Sequence, residues 1–376
     1  MKVEQISLIN FRNYTNCCIK LDSLVNVFYG NNAQGKTNLL EGIFYSAFGF
    51  SHRTNNEEEL MQISAVAMTA ETIFFNNYDR HSIKVKRFEL NGKFKKEILL
   101  DNNLIKTKEH YGTLNVVMFS PEDLQIIKGE PALRRRFLDM EIAQTNRFYY
   151  ALLVKYNKIL QQRNKILKEA REYKLNQELL AAWTQELVKT AAEILTIRLK
   201  VVKSLNQIAQ KIYGDLTNNQ EQLMIKYEIK ANNNQFIYDK EQEVVAWKQW
   251  YEEALKERQD LDVMRGNTGL GPHRDDLLVL VNNNKLKAFG SQGQQRSGAL
   301  ALKLSELEYV KKEKEEYPIL LLDDVMSELD SERRRQLLEF INGKVQTFIT
   351  VNDKTLIPEL KANKYFHVKK GSIQEE

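Results

Sequence analysis

A chain of 376 residues, 43% hydrophobic and 28% charged, can bury one large core or two to three smaller ones. It has no run of about eighteen apolar residues, its opening MKVEQISLINF lacks the basic-then-apolar layout of a signal peptide, and its two cysteines, Cys17 and Cys18, are adjacent, which argues against a disulfide framework or a metal cage. A soluble cytoplasmic protein with no membrane contact is expected, and a net charge of +5 permits a polyanionic partner without requiring one.

Val3, Ile6, Leu8 and Phe11, then Leu24 to Tyr29, predict two short strands, the second running into a glycine-bearing loop. That loop is Gly30, Asn31, Asn32, Ala33, Gln34, Gly35, Lys36 and Thr37, the spacing G-x-x-x-x-G-K-[ST], and Asn38 to Phe50 predicts the helix after it. The glycines let backbone N–H groups turn toward phosphate, and the helix start adds its positive end. Lys36 reaches the terminal phosphates and Thr37 offers an oxygen to magnesium, so ATP with Mg2+ is the expected ligand.

Ile83 and Val85 alternate with Lys84 and Lys86, Asn91 and Gly92 supply a turn, and Phe94 to Leu100 returns, which predicts a hairpin. Lys84, Lys86, Arg87, Lys93, Lys95 and Lys96 are the densest basic group, read either as contacts to DNA phosphates or as a solvated edge strand. From about 131 to 214 the period becomes helical, with stripes such as Leu152, Tyr156 and Ile159, then Leu180, Leu187, Ala191 and Leu195. No a/d heptad repeat is sustained there, so a helical lid fits better than a long coiled coil.

Asp275 to Val281 predicts a strand, Gln294 to Lys311 a helix, and Ile319 to Asp323 and Phe348 to Val351 two further strands. The expected fold class is therefore α/β, a P-loop ATPase head with a mixed sheet built from 1–120 and 265–376, interrupted by a mainly helical insertion at 121–264.

Ile319, Leu320, Leu321, Leu322, Asp323 and Asp324 form an apolar strand delivering two carboxylates, the layout of a Walker B segment. Asp323 is the magnesium-side candidate, and Asp324 the candidate to orient or deprotonate the attacking water. Taken alone, such a pair reads as a solvated turn or helix cap; beside a phosphate loop the catalytic reading is favoured.

Ser291, Gln292, Gly293, Gln294 and Gln295 precede a helix and could be a polar N-cap turn. In position and composition they resemble the signature motif of ABC ATPases, which implies that Ser291, Gly293 and Gln294 contact the γ-phosphate held by a partner subunit. Ser327, Glu328, Leu329 and Asp330 likewise resemble the D-loop of that superfamily. Thr350, Val351, Asn352 and Asp353 stand where such proteins often place a switch histidine, which leaves the γ-phosphate sensor unassigned.

Pro121, Glu122, Asp123 and Leu124, then Gly129, Pro131, Arg134, Arg135, Arg136, Phe137, Leu138 and Asp139, resemble the bacterial RecF family. So do Leu8, Asn10, Phe11, Arg12, Asn13 and Tyr14 near the start and Gly271, Pro272, His273, Arg274, Asp275 and Asp276 after the insertion. The resemblance implies an ABC/SMC-like head without long arms and slow DNA-stimulated ATP hydrolysis. It also implies ATP-dependent homodimerisation on double-stranded or junction DNA, and recombinational repair, fork maintenance and the SOS response with RecO and RecR and, indirectly, RecA.

By the same resemblance Arg12 is a candidate near the α-phosphate, with a surface salt bridge as the alternative. The cluster Arg134, Arg135 and Arg136 is open between DNA contact and structural ion pairs, and His273 is expected to be structural. The rival functions are an SMC-like architectural DNA-bridging ATPase and a transporter nucleotide-binding subunit.

Overall fold

The computed structural model describes residues 1–231, 234–238, 243–357 and 363–376. Contacts divide the chain into two compact units, 1–123 with 306–376, and 124–305.

The first unit holds two sheets. One is antiparallel: β1 (Lys2–Phe11), β2 (Tyr14–Lys20), β4 (Ala67–Phe75), β5 (Arg80–Leu90), β6 (Lys93–Leu100) and β7 (Asn103–Leu104), in the order β2-β1-β4-β5-β6-β7. The other carries β3 (Val25–Tyr29), β8 (Val116–Phe119), β13 (Ile319–Asp323), β14 (Thr347–Val351), β15 (Lys364–Lys369) and β16 (Ser372–Glu375), in the order β16-β15-β3-β14-β13-β8. Its inner strands are parallel, and β8, β13 and β14 are buried at every residue, which is why VVMF, ILLLD and TFITV lack polar alternation. Phe28 of β3 stacks on Phe366 of β15 with ring centroids 4.9 Å apart.

The helix Lys36–Phe48 touches strands of both sheets and is buried continuously from Leu39 to Phe48, so it shows no polar face. Gly42 lets it come close to β1: a Cβ there would lie 2.6 Å from a methyl of Leu8. The helix begins two residues earlier than expected and ends two residues earlier, at a left-handed Gly49 that supplies the C-terminal cap. Strand β2 was not expected, because TNCCIK is short and carries no clear alternation.

The second unit is mainly helical and also carries a four-stranded sheet. Helices Pro131–Thr145, Arg147–Glu169 and Gln177–Leu216 are joined by a sheet of β9 (Leu223–Ala231), β10 (Asn234–Tyr238), β11 (Asp276–Val281) and β12 (Asn284–Lys285), in the order β10-β9-β11-β12. All six residues of β11 pair with β9, and this pairing groups 265–305 with the second unit, although from sequence alone that stretch was expected in the head. Among the described residues no helix is long and apolar enough to cross a membrane.

A buried polar network knits this unit. Arg198 donates to Asp139 at 2.7 Å, to the Tyr227 hydroxyl at 3.0 Å and to the Pro272 carbonyl at 2.7 Å, and Tyr227 donates to Asp275 at 2.9 Å. Arg134 makes a two-pronged pair with Asp276 at 2.7 and 3.0 Å, and Arg135 donates to the Asp275 carbonyl. Two of the three clustered arginines are thus committed to the fold. His273 sits 2.6 Å from the Tyr156 hydroxyl, and burial pulls its pKa down to about 4, a structural role.

Candidate nucleotide site

Strand β3 delivers the chain into the phosphate loop at Gly30, whose φ of 146° opens the turn. A Cβ on Gly30 would lie 2.4 Å from the Val368 carbonyl oxygen, and one on Gly35, at φ 118°, would lie 2.6 Å from Asn13 Nδ2. Both motif glycines are therefore required by close approach as well as by backbone conformation. Asn31, Asn32 and Ala33 are exposed at the loop tip.

The loop is braced from outside at Gln34. Its carbonyl accepts from Asn13 Nδ2 at 2.9 Å and from the Gly371 N–H at 3.0 Å, while its Oε1 accepts the Lys370 N–H at 2.8 Å. The β1–β2 turn and the β15–β16 turn thus hold one loop residue between them. Asn38, in the first helical turn, donates to Asn13 Oδ1 at 2.8 Å.

Lys36 is buried, and its ammonium rests on the Gly30 carbonyl at 2.6 Å, the Asn31 carbonyl at 2.9 Å and Asn352 Oδ1 at 3.0 Å. Burial lowers its pKa, and the charges of Asp324 and Asp323 work the other way. Thr37 donates to Asp323 Oδ1 at 2.9 Å, and Thr350 donates to the same oxygen at 2.7 Å. Burial raises the Asp323 pKa, and these two hydroxyls oppose the shift. Parallel pairing of β13 with β14 sets Asp323 beside Thr350.

Asp324 leaves the strand with φ 53°, its N–H donating to Thr350 Oγ1 at 2.9 Å. Ser327 donates to the Asp324 carbonyl at 2.7 Å and to its carboxylate at 3.1 Å. Asp330 caps the helix Ser331–Ile341 and pairs with Arg333.

Arg12 is engaged by a carboxylate of the helix Lys36–Phe48. Its Nε and Nη2 grip the fully buried Glu41 carboxylate at 2.9 and 2.7 Å, and Nη1 donates to the Glu59 carbonyl at 2.9 Å. Burial pushes the Glu41 pKa up, but bonds from Arg12 and Ser51 with the Arg12 and Arg53 charges leave it below the usual range.

Arg53 was not anticipated. It donates to Asn38 Oδ1 at 2.9 Å and to Glu41 at 3.2 Å, stays 40% exposed, and its charge acts on Asp323. Arg53 belongs to no motif, and Thr350 was noted only as part of the segment standing where a switch histidine is often placed; the strand order and the turn after the helix bring them to Asp323 and Asn38.

Ser291, Gly293 and Gln294 belong to the second unit. Ser291 precedes the helix Gln292–Lys314; its Oγ accepts the Gln294 N–H at 3.2 Å and its own N–H donates to Gln294 Oε1 at 2.8 Å, a reciprocal capping box. The Ser291 side chain is exposed.

The six basic candidates divide between two faces. Ile83 and Val85 are buried, so period-two alternation puts Arg87 on their face, and pairing brings Lys96 opposite it. Both reach Glu57, at 2.9 and 2.6 Å, and Arg87 lies over the Phe94 ring. Lys84, Lys86, Lys93 and Lys95 share the other face, where Lys84 pairs with Glu71 at 3.1 Å.

The family model described as the RecF/RecN/SMC N terminal domain matches residues 2–374. The chain is 40% identical to the DNA replication and repair protein RecF of Halothermothrix orenii, covering 99% of this chain and 98% of that one. It is 41% identical to the protein of the same name from Alkaliphilus oremlandii, covering 99% and 100%. Among solved structures, one described as the recombination mediator protein RecF with ATP in the RecFOR pathway aligns over 100% of this chain and 97% of that chain, at 33% identity and TM-score 0.91. An Smc head bound to the C-winged helix domain of ScpA shares the fold at 14% identity and TM-score 0.56.

Proposed function

The chain belongs to the RecF family of SMC-type ATPases, and on that premise we propose that it is an ATP-controlled DNA-binding protein of recombinational repair and replication-fork maintenance. The observation that carries the reading is the meeting of Lys36 with Asn352 and of Thr37 with Asp323, residues from opposite ends of the chain. Thr37 and Asp323 offer two hard oxygens side by side, which suits Mg2+, an ion that takes one or two protein oxygens and fills its shell with phosphate and water. The acceptors that now hold Lys36 are those a terminal phosphate would replace.

Hydrolysis in this reading is a slow, DNA-stimulated step that resets a conformational switch. Asp324 has the shorter of the two carboxylate side chains, so it reaches less far toward an attacking water than a glutamate would, and Asn352, bonded to Lys36, stands in for a switch histidine. Ser291, Gly293 and Gln294 complete the site of a second copy, which makes the ATP state a homodimer. Lys86, Lys93 and Lys95, with Lys84, track the backbone of duplex or junction DNA without reading bases. RecO and RecR are the expected partners, with RecA loading as the output.

The test measures dimerisation and DNA affinity with ATP, with ADP and without nucleotide, in the unmodified protein, Lys36→Met and Ser291→Arg. ATP is expected to raise both only in the unmodified protein. Nucleotide-independent monomers with constant DNA affinity would overturn the switch.

A further inference from the structure

Glu221 stands just ahead of β9, and its Oε1 accepts the Gln294 Nε2–H at 2.6 Å. Its Oε2 accepts the hydroxyl of Tyr213 at 2.7 Å, a fully buried residue near the end of the helix Gln177–Leu216. A carboxylate can only accept hydrogen bonds, so it decides which way round the Gln294 carboxamide sits. With Nε2 turned to Glu221, Oε1 must face the Ser291 N–H, as it does at 2.8 Å. The Ser291 hydroxyl then accepts from the Gln294 N–H and keeps its own proton for an outside acceptor.

We infer that Glu221 is a positioning residue for the signature segment: through the Tyr213–Glu221–Gln294 chain it fixes the polarity of the Ser291 cap and so presents the Ser291 hydroxyl to a phosphate oxygen of the second copy. This rests on the reading of Ser291 as a γ-phosphate ligand. It also ties the site to the far end of a 40-residue helix, so that displacement of that helix end is felt at Ser291. Glu221 lines a polar cavity of about 570 Å³ with Gln207, Gln210, Lys211 and Asn219, which leaves room for other side chains at this position.

Three variants separate positioning from mere stability. Glu221→Ala removes the acceptor, Glu221→Gln can still present an oxygen to Gln294, and Glu221→Lys offers a donor that turns the carboxamide round and sets Nε2 against the Ser291 N–H. For a lost bond to a charged group, Glu221→Ala should lower the ATP-dependent dimer association constant and kcat on the order of ten-fold. Glu221→Gln should stay near the unmodified protein and Glu221→Lys should fall below Glu221→Ala, while KM, ADP affinity and thermal midpoint move little. Equal losses in all three variants together with a lowered thermal midpoint would overturn the role, as would no loss in any of them while Ser291→Arg abolishes the dimer. A dimer that survives Ser291→Arg removes the reading of Ser291, and this role of Glu221 with it.

Discussion

Thr350→Val keeps the shape of a fully buried side chain and deletes a hydroxyl that serves both carboxylate residues of the Walker B strand. Two bonds disappear: the 2.7 Å donation to Asp323, of the kind worth roughly 1.5–3 kcal/mol to a charged acceptor, and the 2.9 Å acceptance from the Asp324 N–H, roughly 1 kcal/mol. Because both pass through one oxygen they do not simply add, and the nucleotide-free protein should lose roughly 2–4 kcal/mol at neutral pH.

The pH dependence follows from Asp323. Burial already holds its pKa above the usual range, and without Thr350 it rises further, by about one unit for each 1.4 kcal/mol of bond energy removed. A raised carboxyl binds its proton more tightly folded than unfolded, so the native state is penalised as pH rises from the unfolded pKa through the folded one. The stability deficit of the variant should therefore be largest at neutral pH and shrink toward acid. Magnesium needs the ionised form, so the acid limb of Mg2+-dependent nucleotide binding should move up by about one unit. Denaturant titrations from pH 4 to 8 and fluorescent-nucleotide binding over the same range would measure both. A deficit below about 0.5 kcal/mol with an unmoved acid limb would refute the account.

Asp275→Asn addresses the second unit. Burial pushes the Asp275 pKa up to about 7 despite Arg198, so its folded form holds a proton that the unfolded form has lost, and this contribution to stability falls as pH rises from about 4 to about 7. The asparagine variant lacks that slope, and the stability difference between the two proteins should change by an amount on the order of 4 kcal/mol between pH 4 and pH 8; a constant difference would dismiss it. Changing Lys86, Lys93 and Lys95 to glutamine should flatten the salt dependence of DNA binding by up to about 0.9 in log–log slope for each phosphate no longer neutralised, with ATP affinity unchanged. Arg87→Gln and Lys96→Gln should instead lower the thermal midpoint through Glu57; a slope change in this pair and none in the first set would reverse the assignment of the faces.

The parts of the site legible in the sequence are those in which chemistry and local structure coincide. Gly30 to Thr37 had to lie between a strand and a helix, and the unbroken apolar run before Asp323 had to be a buried strand. The hairpin at Asn91 and Gly92 was marked by its alternation, yet the sharing of basic residues between faces was masked because Arg87 and Lys96 face inward to a charge, Glu57, from a distant segment. The partner of Arg12 was hidden in the sequence, because Glu41 lies inside a helix that both sheets bury. The unit boundary was obscured for a similar reason: β11 looks like any head strand until its pairing with β9 is known.

The placing of β3 between β14 and β15 bears on how the protein comes into being. A ribosome releases the phosphate loop early, but both edges of the strand that carries it stay open until residues 347–369 have been made. The Gln34 brace needs Lys370 and Gly371, which are later still. Nucleotide capacity therefore waits on residues 347–371, and a product cut before residue 347 should carry an intact motif and bind no ATP.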